Sequence, residues 1–207
     1  MIFNTRRQLF VFALLLFAAS TTYGQTRGEE LFNLCLSCHG SEGHGNKEIG
    51  APAIAGLPSW YIEKQLETFA SGVRGKHPDD DTGNRMRPMA RTLNPEDIKI
   101  VAAYVSSRKP EVPEATIHGN LEKGKTFYPV CTACHGANGE GNQALHAPSL
   151  KLGNDWYLVR QLSNFKNKIR AADAVKDPTG ATMAPMAAIL PDEQAMKDVI
   201  SYVQSLK

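Results

Sequence analysis

Apolar residues recur at helical spacing in three segments of the first half of the chain, and the same three segments return in the second half. The predicted helices cover about residues 27–38, 59–71 and 94–105, then about 122–134, 155–168 and 192–203. Ser59 and either Asn154 or Asp155 are the expected N-caps of the middle helices, and Pro95 stands at the first position of the third helix. No segment alternates apolar and polar residues as a half-buried strand does, so the pattern predicts an all-α protein.

The two halves repeat one another at an offset of 96 residues, the separation of Cys35 and Cys131, which grows by one or two residues towards the end of each copy. The matched pairs include Gly28 with Gly124, Phe32 with Tyr128, Trp60-Tyr61 with Trp156-Tyr157, Gln65 with Gln161, Arg74 with Arg170, and Tyr104 with Tyr202. This duplication predicts two domains, residues 25–109 and 119–207, joined by a stiff, solvated linker at 110–118. The three aspartates at 79–81 find no counterpart and are interpreted as a solvated loop.

The first 24 residues have the pattern of a secretory signal peptide. Arg6 and Arg7 precede an apolar run over residues 9–19, and small residues follow before Gln25. Cleavage after Gly24 and export to the periplasm are therefore expected. The chain has a formal net charge of +2, and these two arginines account for it. Because neither half of the remaining chain has a basic excess, nucleic acid is not an expected partner.

Each half contains one CxxCH motif, which comprises Cys35, Cys38 and His39 in the first half and Cys131, Cys134 and His135 in the second. This motif is the attachment site of a c-type haem. Two thiols about one helical turn apart can reach the two vinyl carbons on one porphyrin edge, and the next residue offers its imidazole to the iron. Zinc binding and small redox-active disulfides are the alternatives that CxxC leaves open. The histidine that follows directly in both copies favours haem.

A haem iron bound by histidine on one face has either a second protein ligand or an open position on the other. Each half offers two methionines in an MxPM string before its last predicted helix: Met86 and Met89, then Met183 and Met186. A thioether favours ferrous iron and raises the reduction potential, whereas methionine elsewhere mostly fills cores. Recurrence of the string in both halves, within a predicted proline-containing loop, favours one methionine ligand per haem.

With these motifs the chain resembles the class I cytochromes c, and in its duplicated form the dihaem cytochrome c4 group, over nearly all of residues 25–207. The resemblance implies two tandem domains, each with three main helices and loops around a covalent haem c. It also implies that Met86 and Met183, each seven residues before a leucine, are the axial ligands opposite the histidines. Met89 and Met186 then become packing residues.

The resemblance implies further roles for residues near the haem. The carbonyl groups of Pro52 and Pro148 are expected to accept a hydrogen bond from Nδ1 of the ligating histidine in their own half. The aromatic pairs and the arginines of the middle segment are expected to border the haem propionates or to pack in the core. Tyr104 and Tyr202 are expected to meet Gly28 and Gly124 where the first and last helices cross.

The function that the resemblance implies is a periplasmic electron carrier, not an enzyme, which passes single electrons from a quinol-oxidising complex to a terminal oxidase of a respiratory chain. Peripheral association with the membrane is left open. The alternative is a haem subunit of a periplasmic oxidoreductase complex, of the peroxidase or sulfur-compound dehydrogenase type, which requires an exchangeable iron ligand. The other histidines are interpreted as exposed loop residues, although any of them could replace a methionine ligand: His44, His77, His118 and His146.

Overall fold

The computed structural model describes residues 26–206, and the predicted signal peptide at 1–24 lies outside them. The first half contains α1 (26–32), α2 (Leu36–His39), α3 (Ser59–Ala70), α4 (Asp81–Arg91) and α5 (Pro95–Ser107). The second half contains α6 (Leu121–Phe127), α7 (Pro129–His135), α8 (Asp155–Lys166), α9 (Pro178–Ala181), α10 (Met183–Ala188) and α11 (Glu193–Ser205). Within residues 26–206 the only β-structure is two isolated bridges, one in each half. The predicted all-α class is confirmed.

A close crossing of the first and last helices organises each half. A β-carbon on Gly28 would lie 2.6 Å from Tyr104 Cβ, so glycine alone lets α1 approach α5 this closely. In the second half a β-carbon on Gly124 would overlap the Asp198 carbonyl oxygen and lie 2.8 Å from Tyr202 Cβ. The predicted contacts of both glycines with the tyrosines of the last helix are confirmed.

Apolar side chains of the crossing helices form one core in each half. The first core contains Leu31, Phe32, Val101, Tyr104 and Val105. The second contains Tyr128, Val159, Leu190, Ala195, Met196, Val199, Ile200 and Val203. The middle helices complete these cores, since α3 packs against α5 and α8 packs against α11.

The methionine-containing segments are helical, whereas the sequence predicted loops there. They form α4 in the first half and α9 with α10 in the second. Asp80 accepts a hydrogen bond from Gly83 N (3.1 Å), and Asp177 accepts one from Gly180 N (3.0 Å), so an aspartate caps each segment. Pro88 lies inside α4, where it removes one backbone donor without ending the helix.

Asp80 also corrects the interpretation of residues 79–81 as a solvated loop. Its side chain is 4% exposed and serves as a helix cap, and Asp177, 7% exposed, is its counterpart in the second half. The aspartates on either side of Asp80 are exposed. Both the solvated-loop interpretation and the lack of a counterpart were therefore wrong for Asp80. Aspartate is common at buried N-caps as well as in solvated loops, so the residue type alone does not separate the two.

The N-cap prediction was wrong for α3 and right for the N-cap position of α8. Ser59 is the first residue of α3, and Pro58 occupies the N-cap position. Asn154 occupies the N-cap position of α8 without making a side-chain cap bond. Its side-chain oxygen Oδ1 accepts instead from Ala53 N in the other half, at 2.7 Å.

The segment between the halves has no regular secondary structure over residues 109–120. Glu111 pairs with His44 of the first half at 2.8 Å. The Thr116 hydroxyl accepts a hydrogen bond from Lys47 Nζ (2.9 Å) and donates one to Asp155 Oδ1 (2.9 Å). The segment is thus attached to both halves by polar contacts.

Candidate haem sites

Each CxxCH motif ends a short helix at its histidine, with α2 ending at His39 and α7 at His135. None of the four cysteines is paired in a disulfide. Burial, together with the neighbouring thiol of the same motif, raises the pKa of Cys35 and of Cys131 to about 11. Both thiols are therefore protonated at neutral pH.

The two histidines are held in the same way. Nδ1 of His39 lies 2.8 Å from the Pro52 carbonyl oxygen, and Nδ1 of His135 lies 2.9 Å from that of Pro148. The rings are 5% and 7% exposed, and this burial lowers the pKa of both below the ordinary value. A neutral ring that donates from Nδ1 keeps the lone pair of Nε2 free for a metal ion.

A largely apolar cavity in the first half brings the predicted site residues together. Its walls include both cysteines of the motif, His39, Pro52, Met86 and Met89. Apolar side chains of α1, α3 and α5 complete the walls, among them Leu31, Leu66 and Val101. The cavity thus offers thiols, an imidazole and a thioether around one enclosed apolar space.

The two methionines of each string differ in exposure. Met86 is half-buried, and Met183 packs against Phe165, Ala171 and Ala187. Met89 and Met186 are each 38% exposed. Because an iron ligand inside a closed cavity must point inward, this difference favours Met86 and Met183 over their neighbours as candidate ligands.

Arg74 and Arg170 are buried cations that form no ion pair with a carboxylate among the described residues. Arg74 lines the first cavity, is 7% exposed, and donates hydrogen bonds to the neutral side chains of Gln65, Tyr157 and Gln161. The Nε atoms of both arginines are buried and have no partner among the described residues. A buried cation requires an anion. The two carboxylates of a haem would supply that charge, so the residues present fit the cofactor.

Tyr157 belongs to the second half yet lines the cavity of the first. Sequence reasoning missed this, because the repeat matches Tyr157 with Tyr61 and says nothing about contacts between the copies. Trp60 also crosses the boundary, since its ring meets that of His146 edge-on with centroids 6.0 Å apart. Apart from His39, no histidine lies among the residues lining the first cavity.

Comparisons with known proteins agree with this geometry. The family model "Cytochrome c" matches residues 25–109 and again residues 121–207. Cytochrome c4 of Azotobacter vinelandii is 30% identical over 185 residues, which cover 84% of either protein. A thiosulfate dehydrogenase electron acceptor of Thiomonas intermedia is 31% identical over 153 residues, covering 67% of this chain and 65% of that relative. The crystal structure of reduced recombinant cytochrome c4 from Pseudomonas stutzeri has a TM-score of 0.69 at 28% identity and covers 88% of this chain and 98% of its own.

Each half of the chain thus contains one CxxCH motif, one imidazole held by a proline carbonyl and one match to the family model. The relative and the solved structure named cytochrome c4 align over both halves together. Two cytochrome c domains imply two haem c groups, one in each. The chain therefore belongs to the cytochrome c family, as a tandem pair of its domains of the dihaem cytochrome c4 type.

Proposed function

We propose that this protein is a periplasmic carrier of single electrons. The observation that carries the proposal is the first cavity, where the thiols, the imidazole of His39 and the thioether of Met86 border one apolar space. When bound, each haem exchanges one electron between its ferric and ferrous states. An iron with two protein ligands leaves no position for a substrate, and this separates electron transfer from peroxide chemistry.

The proposed ligand set is the same in both domains. The cysteines of each CxxCH motif hold the porphyrin, and His39 with Met86, or His135 with Met183, binds the iron. The carbonyls of Pro52 and Pro148 orient the imidazoles through Nδ1. The apolar walls exclude water and so keep the surroundings of the iron similar in both oxidation states.

The domain boundaries and the location of the protein form part of the proposal. The two domains are assigned to residues 25–109 and 119–207, the linker to 110–118 and the signal peptide to 1–24. The signal-peptide pattern supports export to the periplasm. In the described part of the chain, no helix is long and apolar enough to cross a bilayer.

We infer that the electrons come from a quinol-oxidising complex and go to a terminal oxidase, as the resemblance to cytochrome c4 implies. The relative named thiosulfate dehydrogenase electron acceptor favours a second candidate, in which a sulfur-compound dehydrogenase is the donor. Stopped-flow reduction by each purified donor separates the two, because the physiological donor reduces the protein much faster than the other.

The ligand assignment is tested by four single substitutions in the holoprotein. Replacing Met86 or Met183 with leucine keeps the volume but removes the thioether, and each change should abolish half of the methionine-to-iron charge-transfer band of the oxidised protein. The matched variants Met89→Leu and Met186→Leu should leave the band intact. The opposite pattern would refute the assignment. Binding of carbon monoxide or peroxide to the unmodified protein would refute the carrier function and support the peroxidase-type alternative.

A further inference from the structure

Four polar side chains join the two domains in a nearly symmetric network. Arg74 donates from Nη1 to Oε1 of Gln65 in its own domain (2.6 Å) and from Nη2 to Oε1 of Gln161 in the other domain (2.9 Å). Arg170 repeats the pattern, with Nη1 on Gln161 (2.7 Å) and Nη2 on Gln65 (2.9 Å). Each glutamine oxygen therefore accepts from both arginines, and each arginine binds both glutamines.

The network is buried and positively charged, and the buried carboxylate of Asp80 acts on Arg74 electrostatically without pairing with it. Arg74 and Arg170 are each 7% exposed, and Gln161 is 6% exposed. Among residues 26–206, neither arginine has a carboxylate within ion-pair distance. Hydrogen bonds and charges act strongly in such a low-dielectric environment. Two buried guanidinium groups that share two carbonyl oxygens consequently respond together to any change in either oxygen.

The same network reaches a haem cavity across the domain boundary. Arg74 and Gln65 line the cavity of the first domain, and so does Tyr157 of the second domain. The Tyr157 hydroxyl and Arg74 Nη2 are 2.8 Å apart. A residue of one domain is thus in contact with the group that borders the cofactor of the other.

We propose that Gln65 and Gln161 are positioning residues shared by both haem sites, so that each glutamine sets the reduction potential of the haem in the other domain as well as its own. The inference rests on the proposed function, in which each domain takes up one electron. Each glutamine acts through the two arginines, since its oxygen determines how both guanidinium groups are directed and compensated. Because each glutamine oxygen accepts from both arginines, substitution of either glutamine affects both haems.

The test is a redox titration of the holoprotein followed by NMR, in which the methyl resonances of the two haems are resolved and the electrode supplies one electron to each. Gln161→Leu removes the partial negative charge that both arginines bind, and so disfavours the oxidised state of both haems. Both potentials should rise, each reduction equilibrium changing by about tenfold, or about 59 mV for one electron. Gln65→Leu should give the same two shifts, although it lies in the other domain.

A second substitution keeps the test decisive if the leucine variants fold poorly. Gln161→Glu places a full negative charge between two guanidinium groups, and both potentials should then fall. A merely structural role would not reverse the direction of the shift. Gln204→Leu is the matched control, because Gln204 is a glutamine of the second domain that donates to Gly153 O outside the network. It should leave both potentials unchanged.

A shift confined to the haem of the substituted domain would overturn the proposal, as would equal shifts in the Gln204 variant. These outcomes are distinct from failure of the proposed function. That failure appears as loss of the methionine-to-iron band, or as carbon monoxide binding, in the unmodified protein. The network proposal fails on the potentials alone, with the band intact.

Discussion

Asp155 attaches the linker to the second domain, and its replacement by asparagine should weaken that attachment in a pH-dependent way. The side chain is 1% exposed. Its Oδ2 accepts hydrogen bonds from the backbone N–H groups of Thr116 and Ile117, the latter at 2.6 Å. Its Oδ1 accepts from the Thr116 hydroxyl at 2.9 Å and from Trp156 N at 2.6 Å. Both carboxylate oxygens are therefore fully used as acceptors.

Asparagine offers one acceptor oxygen where aspartate offers two, so at least one pair of donors must face an NH₂ group. A buried donor left without an acceptor costs about 1–3 kcal/mol. Because Thr116 is exposed and its N–H can turn to water, the lower part of that range applies to each donor. We expect Asp155→Asn to lower the free energy of unfolding of the second domain by about 2 kcal/mol at pH 7.

The pH dependence follows from the direction of the pKa shift. Burial raises the pKa of Asp155, but the hydrogen bonds from Thr116, Ile117 and Trp156 outweigh it and hold the pKa below its ordinary value. An aspartate with a lowered pKa in the folded state stabilises the fold above its unfolded pKa of about 3.9. That contribution is lost as the pH falls through the folded-state pKa. The difference between the unmodified protein and the variant should therefore shrink on acidification.

The assay is amide hydrogen exchange at Thr116 and Ile117, combined with urea unfolding at pH 7 and near pH 3. Asp192→Asn is the matched control, because Asp192 is an exposed N-cap whose side chain accepts one hydrogen bond, from Ala195 N at 2.8 Å. Aspartate and asparagine are nearly equivalent as N-caps, so the control should lose less than about 0.5 kcal/mol. Equal stability of Asp155→Asn and the unmodified protein at pH 7, or a penalty that grows as the pH falls, would refute the reasoning.

Two further predictions concern packing in the second domain. Gly124→Ala should destabilise it by about 1–3 kcal/mol in urea unfolding, because the new methyl group overlaps the Asp198 carbonyl. The control is Lys125→Ala at an exposed neighbour on α6, which should change the free energy of unfolding by under about 0.5 kcal/mol. Equal effects of the two substitutions would contradict the close crossing of α6 and α11. Lys166→Met should speed amide exchange at the start of α11, because Lys166 Nζ donates to the Leu190 and Pro191 carbonyls (2.8 Å to the latter). Unchanged exchange would show that these two hydrogen bonds do not stabilise the residues before α11.

The contacts within each domain were the part of the fold that the sequence predicted best. The close approach of Gly28 to Tyr104, and its counterpart in the second domain, was expected from the resemblance to the class I cytochromes c. The resemblance also implied the bond between His39 and the Pro52 carbonyl. The repeat supports both expectations, because the same residue types recur at matching positions in the second copy.

The helical form of the methionine segments was harder to predict, because the signal for it was ambiguous. A proline within a short polar segment is typical of a loop, yet Pro88 lies inside α4. The decisive residue is Asp80, whose carboxylate caps the helix from a buried position. Aspartate is common both at N-caps and in solvated loops, so only its burial distinguishes the two.

The repeat could not predict that the two domains link the same helix ends with cations from different positions. Arg91 of the first domain donates from the end of α4 to the Ala70 carbonyl at the end of α3. In the second domain the equivalent link runs the other way, from Lys166 at the end of α8 to the Leu190 and Pro191 carbonyls that follow α10. When the two copies are aligned, Arg91 and Lys166 occupy positions that do not match. In the structure, each of them nevertheless links the same two helix ends of its own domain.

The network between the domains shows why an internal repeat alone does not predict the contacts between two domains. Gln65 and Arg74 would match their counterparts even if each pair served only its own domain, because the bond within the domain is enough to explain the repetition. Only the placement of the domains shows that each glutamine oxygen is used twice, once by each arginine. A single domain would satisfy half of these contacts and leave a guanidinium group exposed. The duplicated arrangement therefore makes the surroundings of one haem depend on residues of the other copy, which two independent domains joined by a linker would not do.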